Sequence, residues 1–228
     1  MTFDLVIPTY KRKDKLIRCL ESIPNVSNLT IWIYCDNNDT ETCYEINKLY
    51  PYVHTVIASK KRQAFGIWNY HLYFNLQADA MIYLCDDTEF YPNTFANLEK
   101  HFQEKFPDTD GVVTFKQANI KGSDSAMGCI GRKFAERYPS KQCFNPNYVS
   151  FYADTDIGDY AKKLGKFHYA EDCKINHYHP SIFKNEKDFT HDIIRGIDKD
   201  IDTEIHKIRK EQGLLYPETL TIINRSSV

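Results

Sequence analysis

Short β-branched and aromatic runs alternate with stretches of helical period through the first 106 residues of this chain. Two strands separated by a helix cannot close into a hairpin, so they pair in parallel, and repetition of that unit builds a parallel sheet with helices on its faces. Leu5-Val6-Ile7 reads as the first strand, ending at Pro8, and Asp14 then precedes a helical pattern of Leu16, Ile17, Leu20 and Ile23. Ile31-Trp32-Ile33-Tyr34 reads as the second strand, closed by the turn residues Asp36-Asn37-Asn38-Asp39, with a helix to about Tyr50. Val53 to Ala58 reads as the third. Trp68, Leu72 and Leu76 then mark a buried helical face, and Met81-Ile82-Tyr83-Leu84 is the continuous apolar run of a central strand. Pro92 suits the first turn of a further helix, in which Phe95, Leu98, Phe102 and Phe106 recur at spacings of three, four and four.

The second half is less regular. Val112-Val113-Thr114-Phe115 is a strand by the same criteria, and the glycines between Gly122 and Gly131 predict a mobile loop. Ile194, Ile197, Ile201, Ile205 and Ile208 form an amphipathic stripe with basic residues late, as a helix dipole prefers. A length of 228 residues and 42% hydrophobic content fit one α/β domain with a substantial core. The expected division is a main domain over residues 1–180 and a helical extension over 181–228 that packs on it. A formal net charge of −2 offers no global attraction for nucleic acid, which is therefore an unlikely partner. Seven scattered cysteines without a C-x-x-C pair suggest neither a disulfide framework nor a zinc ribbon. With no signal-like start and no apolar run of membrane-spanning length, the expected location is cytoplasmic.

Ligands of open α/β sheets bind beyond the carboxyl ends of the strands. The residues there are Pro8-Thr9-Tyr10 with Lys11-Arg12-Lys13, then Asp36 and Asn37, then Lys60-Lys61-Arg62, then Asp86 and Asp87. Hydrogen-bonding groups, an aromatic ring, cations and paired carboxylates in one pocket suit a nucleoside diphosphate and a divalent ion, because a hard cation such as Mg²⁺ or Mn²⁺ takes oxygen ligands and often only one or two from protein. The alternative for Asp86 and Asp87 is a turn before the next helix. Asp154-Thr155-Asp156 precedes a helix-like stretch that closes at Gly165, so its acids either face the pocket or cap that helix. His177 and His179, two apart, share one face of a strand and would place a nitrogen ligand near the same cation.

These motifs, in this order, resemble the large family-two group of inverting glycosyltransferases with the A-type, Rossmann-like fold. Val6 to Arg12 looks like that family's opening strand and nucleotide loop, Asp36-Asn37 like its base-contacting acid, and Ala64-Phe65-Gly66-Ile67-Trp68-Asn69 like its glycine-centred helix start. Ile82 to Asp87 is similar to its metal-binding acid-x-acid segment, and Asp154 to Ile157 with the later His177 to its catalytic acid segment and downstream histidine. The similarity runs from about residue 4 to about residue 180. It implies donor contacts at Pro8, Thr9, Tyr10, Arg12, Asp36, Arg62, Gly66, Asn69 and Asp86, a metal (Mn²⁺ or Mg²⁺) on Asp87 with His177 or His179, and a base at Asp154 or Asp156. Cys85 stands where the family has its first acid, which moves the metal chiefly onto Asp87. The implied reaction passes a sugar from a nucleotide-diphosphate donor to a hydroxyl acceptor of unknown identity, with inversion. Two rivals are a sugar-nucleotide pyrophosphorylase, opposed by the lack of glycine after the first strand, and a nucleotide-sugar-binding module without catalysis.

Overall fold

The computed structural model describes residues 1–58, 64–119, 124–148, 151–180, 182–188 and 199–211. The first half follows the alternation: β1 (Phe3–Thr9), α1 (Lys13–Ser22), β2 (Leu29–Asp36), α2 (Thr40–Leu49), β3 (His54–Ala58), α3 (Ala64–Tyr70) continued by a π turn over His71–Asn75, and β4 (Ala80–Tyr83). There follow β5 (Thr88–Phe90), α4 (Thr94–Lys105), β6 (Val112–Gln117), β7 (Gly128–Gly131), α5 (Arg132–Ala135), α6 (Ala153–Lys163), β8 (Phe167–His177) and α7 (Lys199–Glu211). One sheet contains all eight strands in the order β3-β2-β1-β4-β7-β6-β8-β5. Strands β3, β2, β1 and β4 are mutually parallel; β7 runs antiparallel between β4 and β6, β8 is parallel to β6, and β5 antiparallel to β8.

Alternation along the central strands divides the core between the two faces of the sheet. Phe3, Leu5 and Ile7 of β1 join Leu16 and Leu20 of α1 and Phe95, Leu98, Phe102 and Phe106 in one cluster. Val6 points the other way, into a cluster with Trp68, Leu72, Tyr83, Phe144 and Ile157. Asp4 shares that second face and is buried, where its carboxylate meets the ring of His71 at 3.1 Å and accepts from the Trp32 indole at 3.3 Å.

Three expectations change. Pro8 does not end β1; it lies within the strand, paired with Tyr34 of β2. It is tolerated because β4 leaves β1 after the Val6–Tyr83 pair, so no ladder bond is needed on that side. The glycines at 128 and 131 bound a fully buried strand, whereas residues 120–123 lie outside those described. A Cβ on Gly128 would meet the Val113 carbonyl oxygen at 2.7 Å and one on Gly131 the Thr109 carbonyl oxygen at 1.9 Å, so here glycine permits close backbone approach where a mobile turn was expected. Ile194 and Ile197 lie outside the described residues, and α7 starts at Lys199. Its Ile205 is wholly buried, but so are the charged Asp202 and Arg209.

Candidate active site

The strand-end residues of the parallel block come together around Arg12. Its backbone precedes α1, its side chain is mostly buried, and its guanidinium reaches three carboxylates: Asp86 at 2.7 Å, Asp87 at 3.3 Å and Asp188 at 2.7 Å. Burial works against the guanidinium charge, but the aspartates outweigh it and raise its pKa. Thr9, the last residue of β1, donates its hydroxyl to the other oxygen of Asp86 at 2.9 Å. Burial pushes the Asp86 carboxyl up to about 6; Arg12 and the Thr9 hydroxyl pull it down, and neighbouring Asp87 adds to the rise.

Asp87 looks toward β8. Its Oδ1 lies 3.4 Å from Nε2 of His177, the last residue of that strand. His177 is fixed on its other sides: Nδ1 faces Gln117 Oε1 at 2.8 Å, while its backbone N–H and C=O both pair with the Asn119 amide, at 3.0 and 3.2 Å. The Tyr178 N–H donates to the Asp87 carbonyl at 2.8 Å, tying the two segments together. The His179 ring lies 5.3 Å from that of His177, centroid to centroid.

Asp154 and Asp156 both occupy the first turn of α6, after Tyr152 in a left-handed conformation, yet their surroundings diverge. Asp154 is half-buried. Burial raises its pKa, against hydrogen bonds from backbone N–H groups of the helix start. Ala153 and Ile157 beside it pack against Tyr83, the last residue of β4, and the Asp154 charge adds to the rise that burial imposes on the Tyr83 pKa. Asp156 is buried and engaged elsewhere: it accepts from Arg209 Nε at 2.8 Å and Tyr148 OH at 3.1 Å, with His206 Nδ1 at 3.3 Å. It thereby anchors α7, which also stacks His206 on Tyr152 and receives the Phe151 N–H on Asp202 at 2.9 Å.

A cleft of about 730 Å³ opens beside Arg12 between the starts of α1 and α2, lined by Lys11, Lys13, Lys15, Asn38, Thr40 and Asp188 among others. Tyr10 stands at its edge, its hydroxyl accepting from Asn38 at 3.2 Å, and the Lys11 N–H donates to Asp39 at 2.5 Å. Pro8 is partly buried behind Thr9, and Asp36 is buried at the end of β2, where its carbonyl receives the Asp39 N–H. Gly66 is exposed in the first turn of α3, while Asn69 is turned into the fold, pairing with the backbone of Phe144 at 2.5 and 3.0 Å. Arg62 and the adjacent lysines lie outside the described residues. Residues not singled out in the sequence are Gln117 and Asn119, which hold His177, and Asp188 and Glu186, which bind Arg12, Lys15 and Arg18. For Asp188 and Glu186 the only sequence signal was an acid in a segment without periodicity.

A parallel half, an antiparallel return strand and carboxylates at the end of β4 are the layout of the A-type glycosyltransferase fold. The model of Glycosyl transferase family 2 matches residues 4–152, well over half of the chain, and the protein belongs to that family. No curated protein matches. Among solved structures, that of S. aureus TarS 1–349 superposes at a TM-score of 0.58 with 12% identity, covering 81% of this chain and 63% of that one. The same TarS segment in complex with UDP gives 0.51 at 12% identity, covering 69% and 54%. GalNAc-T7 with UDP, GalNAc and Mn²⁺ gives 0.61 at 12% identity, covering 78% and 44%. The chain thus spans less than two thirds of these relatives. No helix among the described residues is long and apolar enough to cross a membrane.

Proposed function

We propose that this protein transfers a sugar from a nucleoside-diphosphate donor to an acceptor hydroxyl by a single inverting displacement, with Asp154 as the base. The observation that carries the reading is that Tyr83 of β4 and Ala153 and Ile157 of α6 share one buried cluster, against which Cys85 also packs, so that the start of α6 with Asp154 adjoins the strand end that carries Asp86 and Asp87. The cleft beside Arg12 takes the nucleotide. Its lysines and the Arg12 guanidinium would meet the diphosphate, and Tyr10 and Asp36, bonded to Asn38 and Asp39 of the cleft wall, would meet the nucleoside. UDP in the TarS complex supports a nucleotide of this class.

The Asp87–His177 pair fits a divalent cation. Gln117 presents an acceptor oxygen to Nδ1, and an imidazole with its hydrogen on Nδ1 can offer the Nε2 lone pair toward Asp87 Oδ1. Two acceptors 3.4 Å apart are stabilised by a cation between them, and that separation suits two donors each about 2.0–2.2 Å from one ion. Asp87 and His177 would hold Mn²⁺ or Mg²⁺, with His179 the nearest further imidazole. Bound there, the ion supplies positive charge to the leaving diphosphate. The structure of GalNAc-T7 with UDP, GalNAc and Mn²⁺ supports a divalent cation here.

Asp154 removes the acceptor proton as the acceptor oxygen attacks the anomeric carbon, and the bond to the diphosphate breaks on the opposite face. A carboxyl held above its ordinary pKa is a better proton acceptor than an unperturbed one. Asp156 serves as the anchor of α7 through Arg209. By the same contacts α7 packs on the main domain, which supports reading the C-terminal segment as its extension. The seven free cysteines, six of them buried, suit a reducing, cytoplasmic setting.

The test is to incubate the protein with UDP-sugars and Mn²⁺ or Mg²⁺ and identify the nucleotide released. Free UDP, reduced about a hundredfold or more by Asp87→Ala and by Asp154→Asn, is the expected result. Formation of UTP from pyrophosphate and the UDP-sugar would make the protein a pyrophosphorylase. Donor binding with no sugar released or transferred would make it a binding module. Either outcome overturns the reading.

A further inference from the structure

On the sheet face opposite α6, away from the site just described, α4 crosses β8 and a second group of metal-ligating side chains assembles there. The register of β8 against β6 runs regularly from Phe167 to Ala170, which faces Phe115. The next residue of β6, Lys116, faces Lys174. Residues 171–173 are therefore a bulge, three residues in excess of the partner strand. In a regular strand Asp172 and Cys173 would point to opposite faces. In the bulge a carboxylate oxygen of Asp172, the Cys173 sulfur and a ring nitrogen of His101 on α4 all come within 4.8 Å of one another. Among the described residues no other histidine, cysteine and acid side chains group in threes this closely.

The surroundings hold this geometry in place. Asn97 of α4 donates to the Asp172 carbonyl at 3.1 Å and Thr94 to the Lys174 carbonyl at 2.6 Å, pinning both ends of the bulge to the helix. His101 Nε2 lies 2.6 Å from Asp172 Oδ1, and its Nδ1 lies 3.1 Å from Nε2 of His168. A histidine held through its second nitrogen by a fixed partner is the arrangement that orients metal-binding imidazoles.

We propose that His101, Asp172 and Cys173 form a binding site for a thiophilic divalent cation of the Zn²⁺ class, with water completing the coordination. The three donors differ in exposure in a useful way: Cys173 is buried, His101 is partly buried and Asp172 faces solvent. An ion can enter from the Asp172 side and meet the sulfur last. Ligands of tetrahedral zinc stand about 3.3–3.8 Å apart, from bond lengths of about 2.0–2.3 Å, so small side-chain rotations close the set. The ion displaces the proton shared by His101 and Asp172 and the Cys173 thiol proton, both of which pass to water. Hard ions such as Mg²⁺ and Ca²⁺ have little affinity for sulfur and do not displace the thiol proton. The bulge lies on the order of 15 Å along β8 from His177, too far to share an ion with Asp87.

The test uses the full-length chain, stripped with a chelator, and Co²⁺ as a spectroscopic probe. One equivalent of Co²⁺ is expected to produce a thiolate-to-cobalt charge-transfer band in the near ultraviolet, which Zn²⁺ bleaches. Cys173→Ser should abolish the band, and His101→Gln and the exposed change Asp172→Asn should weaken Zn²⁺ binding at least tenfold with the circular dichroism spectrum unchanged. Asp87→Ala should leave the band intact, since sulfur takes no part at the candidate active site. Absence of the band in the unaltered protein, or its persistence in folded Cys173→Ser, overturns the proposal. So does unchanged Zn²⁺ affinity in Asp172→Asn, a variant whose exposed side chain makes unfolding no explanation.

Discussion

Replacing Asp156 and Asp154 one at a time should separate an anchoring carboxylate from a reacting one. Asp156 and Arg209 are 5% and 4% exposed and meet at 2.8 Å, with Tyr148 and His206 filling the rest of the carboxylate's surroundings. Asp156→Ala leaves the buried guanidinium without this counter-charge, a loss of about 3–5 kcal/mol. For a domain of this size each kcal/mol moves the melting temperature by about 2–4 °C, so a fall of roughly 10 °C is expected. Adding Arg209→Met should recover part of it, because the stranded charge is then gone. Asp154 behaves in the opposite sense. Its folded pKa is raised, so the native state holds that proton more tightly than the unfolded chain, and stability from this group is present at low pH and lost as pH rises through the folded value. At neutral pH the buried charge is a cost, and Asp154→Asn should leave the melting temperature unchanged or higher while turnover falls about a hundredfold or more. Thermal melts and UDP release measured on the same preparations decide the matter. Loss of turnover in Asp156→Ala at an unchanged melting temperature, or a destabilised but active Asp154→Asn, would refute the reasoning.

Three further outcomes follow from the geometry. The Thr9 hydroxyl favours the charged form of Asp86, whose carboxyl is pushed up to about 6, so activity should fall below about pH 6 and Thr9→Val should move that acidic limb upward; a limb that stays or moves down contradicts it. Gly131→Ala drives a Cβ to within 1.9 Å of the Thr109 carbonyl oxygen and should cost roughly 3 kcal/mol by urea unfolding, whereas Gly165→Ala, at φ +66° with nothing within 4 Å, should cost only about 1–2 kcal/mol. Asp188→Asn removes one acid from Arg12 and Lys15 and should tighten UDP binding severalfold by calorimetry, more so at low salt; an unchanged Kd would move the diphosphate away from this cleft.

The β-α half of the fold was legible because each of its elements has a clean period. Phe95, Leu98, Phe102 and Phe106 announce a helix face, and all four are buried. The second half was harder for identifiable reasons. Glycine marks a turn and a close backbone approach alike, and only the contacts of Gly128 and Gly131 tell them apart. Strand β8 has a mixed burial pattern interrupted by its bulge, so only its end near His177 read as a strand. Asp154 and Asp156 share a helical turn and look interchangeable in sequence. The difference lies in Arg209, 53 residues farther on and on an element whose apolar stripe gave no hint of a buried cation. The acids at 186 and 188 were invisible for the same reason: their partners on α1 are supplied by tertiary contact alone.

The exchange of an acid for Cys85 costs the candidate site less than its place in the motif suggests. Burial holds the Cys85 thiol well above its ordinary pKa, so it brings no charge there. Asp86 and Asp87 follow directly, and consecutive side chains leaving a strand diverge. Asp86 turns to Thr9 and Arg12, on the β1 side, and Asp87 turns to His177, on the β8 side. One pair of adjacent acids thus serves both the β1 side and the β8 side of the site, and the position next to the imidazole is the one that keeps its carboxylate. Arg12 contacts both acids, so it offsets their mutual repulsion in a buried setting. A third carboxylate at position 85 would add negative charge with no further cation to meet it among these contacts. The neutral thiol therefore leaves the charge at the end of β4 to Asp86 and Asp87, with the Arg12 guanidinium in contact with both.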